Sequence, residues 1–366
     1  MRRNTAVECV RVLAIVGVIF AHVAGRNGPV SPVVPIRLAY HLSSFGIIFF
    51  FIIAGYYWGR KIRAGNPVGQ VYAPYARRVL KLFAWSCLFY LFISNDGISA
   101  YTRYGVLSSL KICYWNFLKL IKPPGPPWLG IVSLFLMGTK YHLWFLMALA
   151  WAVTITAILV KLRRESLLLW VGLALYVFEA VCKLLSETTI GSPLPFSARY
   201  GPFFGTFFFA IGYRLSARQS TFSLKPAIAL LSGGLALLVV DMLVVRTHLG
   251  FMVIQPFLQM TIGLGAALLA LAKPSLGADS ALASLGKYVL GIYLVHFLFL
   301  DILKPIATPL FSTPVLDLWL TATIFFCSVL AAMIMLRTPV LKSFVGAPRA
   351  PILLVSDQAM TPQKVS

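Results

Sequence analysis

The sequence predicts an all-α, polytopic integral membrane protein with about ten transmembrane helices and both termini in the cytoplasm. Its 366 residues are 59% hydrophobic and only 11% charged, which is too apolar for an ordinary soluble domain. Apolar runs of about 20 residues, the length that crosses the hydrocarbon core of a bilayer, recur along the chain. Lysine and arginine residues concentrate between alternate runs. Together these observations favour a helical bundle in a membrane.

The N-terminal part of the chain predicts three helices and one long connection. A helix over 7–24 follows the basic "MRRN", and charged residues near its start favour an uncleaved span over a signal peptide. Helices over 41–58 and 79–94 flank a basic stretch. The segment 95–141 contains a lysine-bearing amphipathic piece and the helix-breaking "KPPGPPW", so we expect it to lie on the membrane surface.

Seven further apolar runs complete the predicted bundle. Each is long enough to cross about 30 Å of hydrocarbon. The predicted helices cover 142–160, 167–185, 200–216, 225–245, 252–272, 286–303 and 315–337. We therefore expect a membrane domain over 1–342 and a short cytoplasmic tail over 343–366.

The distribution of basic residues orients the predicted helices. With the N-terminus inside, 20 of the 32 lysine and arginine residues fall on inner segments and 11 on outer segments, while Arg11 lies within the first helix. The positive-inside rule therefore favours cytoplasmic termini. The net charge of +22 is spread between apolar runs, and we expect it to face anionic lipid rather than nucleic acid. The five cysteines form no CxxC pair and are predicted to be packing residues, with no metal site.

The first helix carries two ionisable residues in "RVLAIVGVIFAH", Arg11 and His22. Their offset is three turns plus about 20°, so both side chains share one helix face about 16 Å apart. One interpretation is that each extends to the nearer headgroup region. The other is that a neutral imidazole accepts a proton from a hydroxyl while the guanidinium binds an anionic group in the same channel. An i,i+3 pair with Glu8 would then orient Arg11.

The histidines all fall on the predicted outer side of the membrane. Ionisable groups in bilayers are costly and usually functional, so this distribution favours chemistry or transport there. His142 and His296 are candidate catalytic residues beside His22, although an interfacial anchor and a structural hydrogen bond are their respective alternatives. The five histidines are His22, His41, His142, His248 and His296.

The arginine-x10-histidine pattern of the first helix resembles the hallmark of the membrane-bound acyltransferase 3 family, which contains bacterial sugar and polysaccharide O-acyltransferases. The chain has Ala54 where the family usually has a serine, so any role of that hydroxyl is absent. The resemblance runs from the first to the ninth predicted helix and is closest to the stand-alone form without a C-terminal hydrolase-like domain. In order, the other similar stretches are "FFFIIAGY", "YARRVLKL", "YHLWFL", "RYGPFFGTFFFAIGY" and "SLGKYVLGIYLVH".

The resemblance implies an O-acyltransferase of the bacterial inner membrane. It would move an acetyl or other short acyl group from cytoplasmic acetyl-CoA, a substrate and not a resident cofactor, to a hydroxyl of a cell-surface polysaccharide or its lipid-linked precursor. His22 would be the general base, and Arg11 would bind the donor or hold the channel. Since arginine binds phosphate bidentately, inner basic residues are candidates for coenzyme A, although the positive-inside rule alone also explains them. These candidates are Arg60, Lys61, Arg77 and Arg78.

A proton-coupled secondary transporter of a small solute is the alternative from another class. Membrane histidines and an arginine would then form a substrate path, but the sequence shows no convincing internal repeat. A third alternative, acylation of a lipid or a small intracellular molecule, keeps the chemistry and changes the acceptor. The sequence leaves open the acceptor sugar, acetyl against succinyl, and direct transfer against an acyl-histidine intermediate.

Overall fold

The computed structural model describes most of the predicted membrane domain. The described residues are 4–25, 34–43, 45–92, 114, 118, 127–186, 188, 190–191, 194, 196–218, 222–243, 248–308, 313–339 and 341–342. The predicted tail and most of the predicted surface connection lie outside them.

Within these ranges the chain forms thirteen α-helices and no strand. Three short 3₁₀ turns, Tyr141–Leu143, Glu165–Leu167 and Gly286–Tyr288, lead directly into helices. The helices are α1 Thr5–Ala24, α2 Val34–Ser43, α3 Phe45–Arg63, α4 Val68–Leu91, α5 Pro127–Met137, α6 Trp144–Lys161, α7 Leu168–Ser186, α8 Pro202–Leu215, α9 Leu224–Leu243, α10 His248–Ala272, α11 Ala281–Leu285, α12 Val289–Ala307 and α13 Thr313–Arg337. The predicted all-α membrane fold is confirmed.

Eight stretches of the described residues are long and apolar enough to cross a membrane. Each of the ten predicted segments is helical, but α4 and α8 are not among the eight. The first half of α4 is basic and polar, and α8 has only 14 residues. The predicted helix over 41–58 extends in both directions as α2 and α3. Part of the predicted surface connection forms α5, an apolar helix of 11 residues that is too short to span.

The closest helix packing joins α3 to α8. A methyl group on Gly55 would overlap the carbonyl of Phe209, and one on Gly212 would overlap the carbonyl of Ile52. Small residues allow this approach of two backbones, which is a common basis of helix association in membranes. Around this pair α8 also contacts α6 and α7, and α3 also contacts α1 and α10.

α1 has a central position, and its direction defines the two ends of the bundle. It contacts α2, α3, α10, α11, α12 and α13. Gly17 packs against Ser43 at the end of α2, and Ala14 against Gly46 at the start of α3, so α1 runs antiparallel to α2 and α3. The start of α1 therefore lies at the same end of the bundle as the end of α3, and His22 lies at the opposite end.

Candidate active site

Three histidines from separate elements meet at one end of the bundle. His22 lies in the last turn of α1, His142 in the 3₁₀ turn before α6, and His296 in α12. The ring centroid of His296 is 5.6 Å from that of His22 and 5.0 Å from that of His142. More than a hundred residues separate each from the next along the chain, so the fold alone brings them together. We call these three residues the histidine cluster, and their end of the bundle the histidine end.

Aromatic rings fix the spacing within the histidine cluster. The ring of Phe297 lies parallel to that of His142 at 4.4 Å and edge-on to that of His22 at 4.7 Å. Tyr141 lies edge-on to His22 at 5.3 Å. His142 and His296 are 2% and 1% exposed, whereas His22 is half-buried. His22 is therefore the member of the cluster that a substrate can approach.

The hydrogen bonding of His296 fixes its tautomer. A backbone carbonyl only accepts hydrogen bonds, so the 2.7 Å contact between His296 Nδ1 and the Tyr293 carbonyl requires a proton on Nδ1. The Nε2 atom of the neutral ring then carries a lone pair. It is buried and has no hydrogen-bond partner among the described residues, as is also true of both ring nitrogens of His142. Buried polar atoms are usually satisfied, so these nitrogens are candidates for contact with a substrate or a water molecule.

Two tyrosines tie the elements around the cluster together. The Tyr293 hydroxyl donates to the His142 carbonyl at 2.7 Å, and the Tyr90 hydroxyl donates to the Leu294 carbonyl at 2.7 Å. These bonds join α12 to the His142 turn and to α4. The backbone positions of His142 and His296 are thereby coupled.

A buried ion pair lies beside the histidine cluster. Lys140 Nζ is 2.6 Å from Asp301 Oδ2, and both side chains are largely buried. The ammonium group also lies 5.8 Å from the centre of the Phe297 ring. Lys140 directly precedes the turn that holds His142, and Asp301 is on the same helix as His296, so the pair provides a further connection between these two histidines.

Arg199 also lies at the histidine end, although it was not among the residues predicted from sequence. Its guanidinium lies 4.6 Å from the centre of the Phe204 ring and 5.5 Å from that of Trp144. Trp144 follows His142 by two residues, so Arg199 lies close in the fold to the turn that holds His142. The sequence feature that could have indicated a functional role for Arg199 is its position before α8, at the start of "RYGPFFGTFFFAIGY". Burial raises the pKa of the neighbouring hydroxyl of Tyr200, which therefore stays protonated as a hydrogen-bond donor.

Arg11 lies away from the histidine cluster on the same helix. Its guanidinium donates to both carboxylate oxygens of Glu8, at 3.2 and 3.4 Å, which is the i,i+3 pair expected from the sequence. The rise per residue of an α-helix places Arg11 about 16 Å from His22 along α1. Arg11 therefore does not contact the cluster, and it remains half-buried in the first part of α1.

The predicted donor-binding cations lie at the other end, which we call the basic end. They occupy the last turn of α3 and the first half of α4. Because Tyr90 of α4 touches His142 at a centroid distance of 5.1 Å, Arg78 lies about 18 Å from that level along the helix. Neighbouring Arg63 has a structural role, because it stacks on Tyr213 and pairs with Glu165 at 3.6 Å. The basic-end cations predicted to bind the donor are Arg60, Lys61, Arg77 and Arg78.

The other two histidines are not in the cluster. His41 is buried and its Nε2 lies 2.8 Å from Asp241 Oδ2, which joins α2 to α9. His248 is the first residue of α10, and its side chain lies outside the described part of the structure. Among the described residues, no group of three or more histidine, cysteine, aspartate or glutamate side chains is arranged to hold a metal ion.

Comparison with known proteins identifies the family. A search of curated proteins and a search of solved structures gave no significant match. The family model described as "Acyltransferase domain", that of acyltransferase 3, matches residues 4–337. This match covers every helix described above, including those that carry Arg11 and the histidine cluster. The chain is therefore a membrane acyltransferase that belongs to the acyltransferase 3 family.

Proposed function

We propose that this protein is an O-acyltransferase that moves an acetyl or other short acyl group from cytoplasmic acyl-CoA to a hydroxyl of a cell-surface polysaccharide or its lipid-linked precursor. The observation that carries the proposal is the meeting of His22, His142 and His296 at the end of the bundle opposite the basic end. We further propose that the protein resides in the bacterial inner membrane with its N-terminus in the cytoplasm, as the distribution of basic residues favours.

In the direct route, neutral His22 accepts the proton of the acceptor hydroxyl as its oxygen attacks the carbonyl carbon of the thioester. A carbon–oxygen bond forms and the carbon–sulfur bond breaks. The imidazolium of His22 then returns the proton to the leaving thiolate of coenzyme A. His142 and His296 support this step, because their buried ring nitrogens add hydrogen-bonding capacity beside His22.

In the relayed route, a ring nitrogen of neutral His22 attacks the thioester carbonyl carbon, the carbon–sulfur bond breaks, and the proton on the other ring nitrogen passes to the leaving thiolate, which gives an acyl-histidine and the free thiol of coenzyme A. The acceptor hydroxyl then attacks that acyl group, the carbon–nitrogen bond breaks, and the hydroxyl proton returns the histidine to its neutral form. Rapid acid quenching followed by mass spectrometry of peptides distinguishes the two routes, because only the relayed route gives an acylated His22 peptide in the absence of acceptor.

We assign the donor to the basic end. Coenzyme A carries phosphate groups, which arginine binds through paired hydrogen bonds. Arg60, Lys61, Arg77 and Arg78 would hold these groups. Arg11, fixed by Glu8, lies between the basic end and the histidine cluster along α1, where it would bind the donor part that enters the channel.

The test uses purified protein in lipid nanodiscs, radiolabelled acetyl-CoA and glycan extracts from the cell envelope of the natural host. We expect label in the glycan fraction with wild-type protein. Parallel reactions with succinyl-CoA identify the acyl group. Absence of transfer to any extract, combined with counterflow of a solute in liposomes, would favour the proton-coupled transporter and overturn the proposal.

A further inference from the structure

We propose that Arg199 is an anion-binding residue for the acceptor, so that the acceptor carries a carboxylate or phosphate close to the hydroxyl that is acylated. This inference rests on the proposed function. It begins from the aromatic rings of Trp144 and Phe204, which hold the Arg199 guanidinium. Arginine held in this way keeps its planar N–H groups available for bidentate binding of an anion.

The other described cations at the histidine end all have polar partners. Arg37 donates to the Met242 carbonyl at 3.1 Å, and Lys183 to the amide oxygen of Gln255 at 3.1 Å. Lys140 pairs with Asp301 as described above, and Lys304 donates to the Val23 carbonyl at 3.2 Å.

Arg199 differs from these four cations. Within the described part of the chain, its guanidinium has neither a hydrogen-bond acceptor nor a carboxylate at ion-pair distance. Arg199 is half-buried, and the N–H donors of its guanidinium are left for a ligand. A substrate anion would satisfy these donors, and the low dielectric around the two rings would strengthen the attraction.

The position of Arg199 relative to His22 favours the acceptor over the donor. Arg199 stacks on Trp144, which follows His142 by two residues, so an anion bound there lies at the same end of the bundle as the proposed base. Tyr141 is 48% exposed and lies against His22, which leaves its ring available to stack on a sugar. The phosphate-binding candidates for coenzyme A are at the opposite end of the bundle. A uronic acid and a sugar phosphate on a lipid carrier both place an anionic group next to sugar hydroxyls, which is the chemistry that this arrangement would recognise.

A structural role of Arg199 is the competing explanation. Glu179 of α7 is buried, and Tyr176 of the same helix contacts Phe204, on which Arg199 stacks. If Arg199 served only to balance this carboxylate, Glu179→Gln would remove the need for it. The two explanations therefore predict different effects for substitutions at the two positions.

The experiment separates acceptors by charge. Envelope glycans are fractionated by anion exchange into acidic and neutral pools. Lipid-linked sugars, all of which carry the phosphate of the carrier, form a separate arm, and a parallel sample released from the carrier by mild acid is fractionated in the same way. Each pool is incubated with radiolabelled acetyl-CoA and wild-type protein. We expect label in acidic pools; the arm that is labelled, glycan or lipid-linked sugar, tells whether the source is a uronic acid or a carrier phosphate.

The variants test the residue itself. We expect Arg199→Gln to raise the KM for the labelled acidic acceptor about tenfold with little change in kcat, and Arg199→Lys to retain part of the affinity. Glu179→Gln and Arg37→Gln should leave this KM unchanged. Size-exclusion profiles show whether each variant is folded, and the wild-type fractionation tests the acceptor charge without any variant.

Several results would overturn the inference. Label confined to neutral pools excludes an anionic acceptor and leaves the proposed function intact. A normal KM in the double variant Glu179→Gln, Arg199→Gln assigns Arg199 to charge balance in the fold, whereas the proposal expects the double variant to keep the raised KM of Arg199→Gln. Absence of label in every pool would contradict the proposed function, and therefore this inference as well.

Discussion

At the scale of single residues, substitutions of two histidines distinguish a role in catalysis from a role in stability. His22 is half-buried and lies in the cluster, whereas buried His41 pairs with Asp241 away from it. We expect His22→Gln to lower acyl transfer at least about 100-fold, the usual effect of a general base, with little change in melting temperature. His41→Gln should lower the melting temperature, because disturbing the buried hydrogen bond to Asp241 costs about 1–3 kcal/mol, and should retain transfer.

Activity assays and thermal unfolding of both variants in the same detergent check this prediction. Full transfer activity in His22→Gln would contradict the role of His22. Loss of transfer in a well-folded His41→Gln protein would indicate that the reaction takes place at the contact between α2 and α9.

The three residues of the histidine cluster were predicted from the sequence, because an ionisable group in an apolar run is conspicuous. Their mutual contacts were not, since spacing along one helix says nothing about neighbours on another. Arg199 was not predicted for a related reason. A basic residue just before an apolar run is an ordinary feature of a membrane protein, and only its rings and its lack of an acidic partner among the described residues set it apart.

At the scale of elements, the Lys140–Asp301 pair holds the His142 turn against α12. We expect Lys140→Met and Asp301→Asn each to lower kcat about tenfold and to change the KM values little, because the pair positions two histidines and contacts neither proposed substrate. Lys183→Met removes a cation at the same end whose partner is Gln255 and is the matched control. Steady-state kinetics with both substrates provide the measurement.

Charge reversal distinguishes positioning from general loss of structure. The double variant Lys140→Asp, Asp301→Lys restores an ion pair between the same elements and should recover part of the lost kcat. Normal activity of either single variant would show that the pair does not position the histidines.

The order of the helices was predictable because hydrophobic runs and basic turns alternate along the chain. The start of α2 at Val34 and the shortness of α8 were not, because these depend on packing. The contact of α3 with α8 through Gly55 and Gly212 also depends on packing. Neither apolar run shows from its sequence why a glycine is needed at that position, because the reason is a backbone carbonyl of the other helix.

At the scale of the whole molecule, the histidine and basic ends lie on opposite sides of one helical bundle. His22 and Arg11 are about 16 Å apart on α1, and the cations of α3 and α4 extend the separation. Donor and acceptor are therefore expected to enter from different sides, so the two substrates should respond to different substitutions.

The double variant Arg77→Gln, Arg78→Gln should raise the KM for acetyl-CoA about tenfold and leave the KM for the acceptor unchanged, because it removes only the proposed phosphate-binding groups at the basic end. Arg163→Gln, Arg164→Gln removes two exposed cations after α6 at the same end and controls for net charge. In proteoliposomes sorted by the accessibility of an N-terminal tag, acetyl-CoA supplied on the tagged side alone should support transfer. Equal effects of the two double variants would show that the basic end attracts lipid and anions in general and has no specific donor site. Transfer with acetyl-CoA supplied on either side would exclude separate entrances for the two substrates.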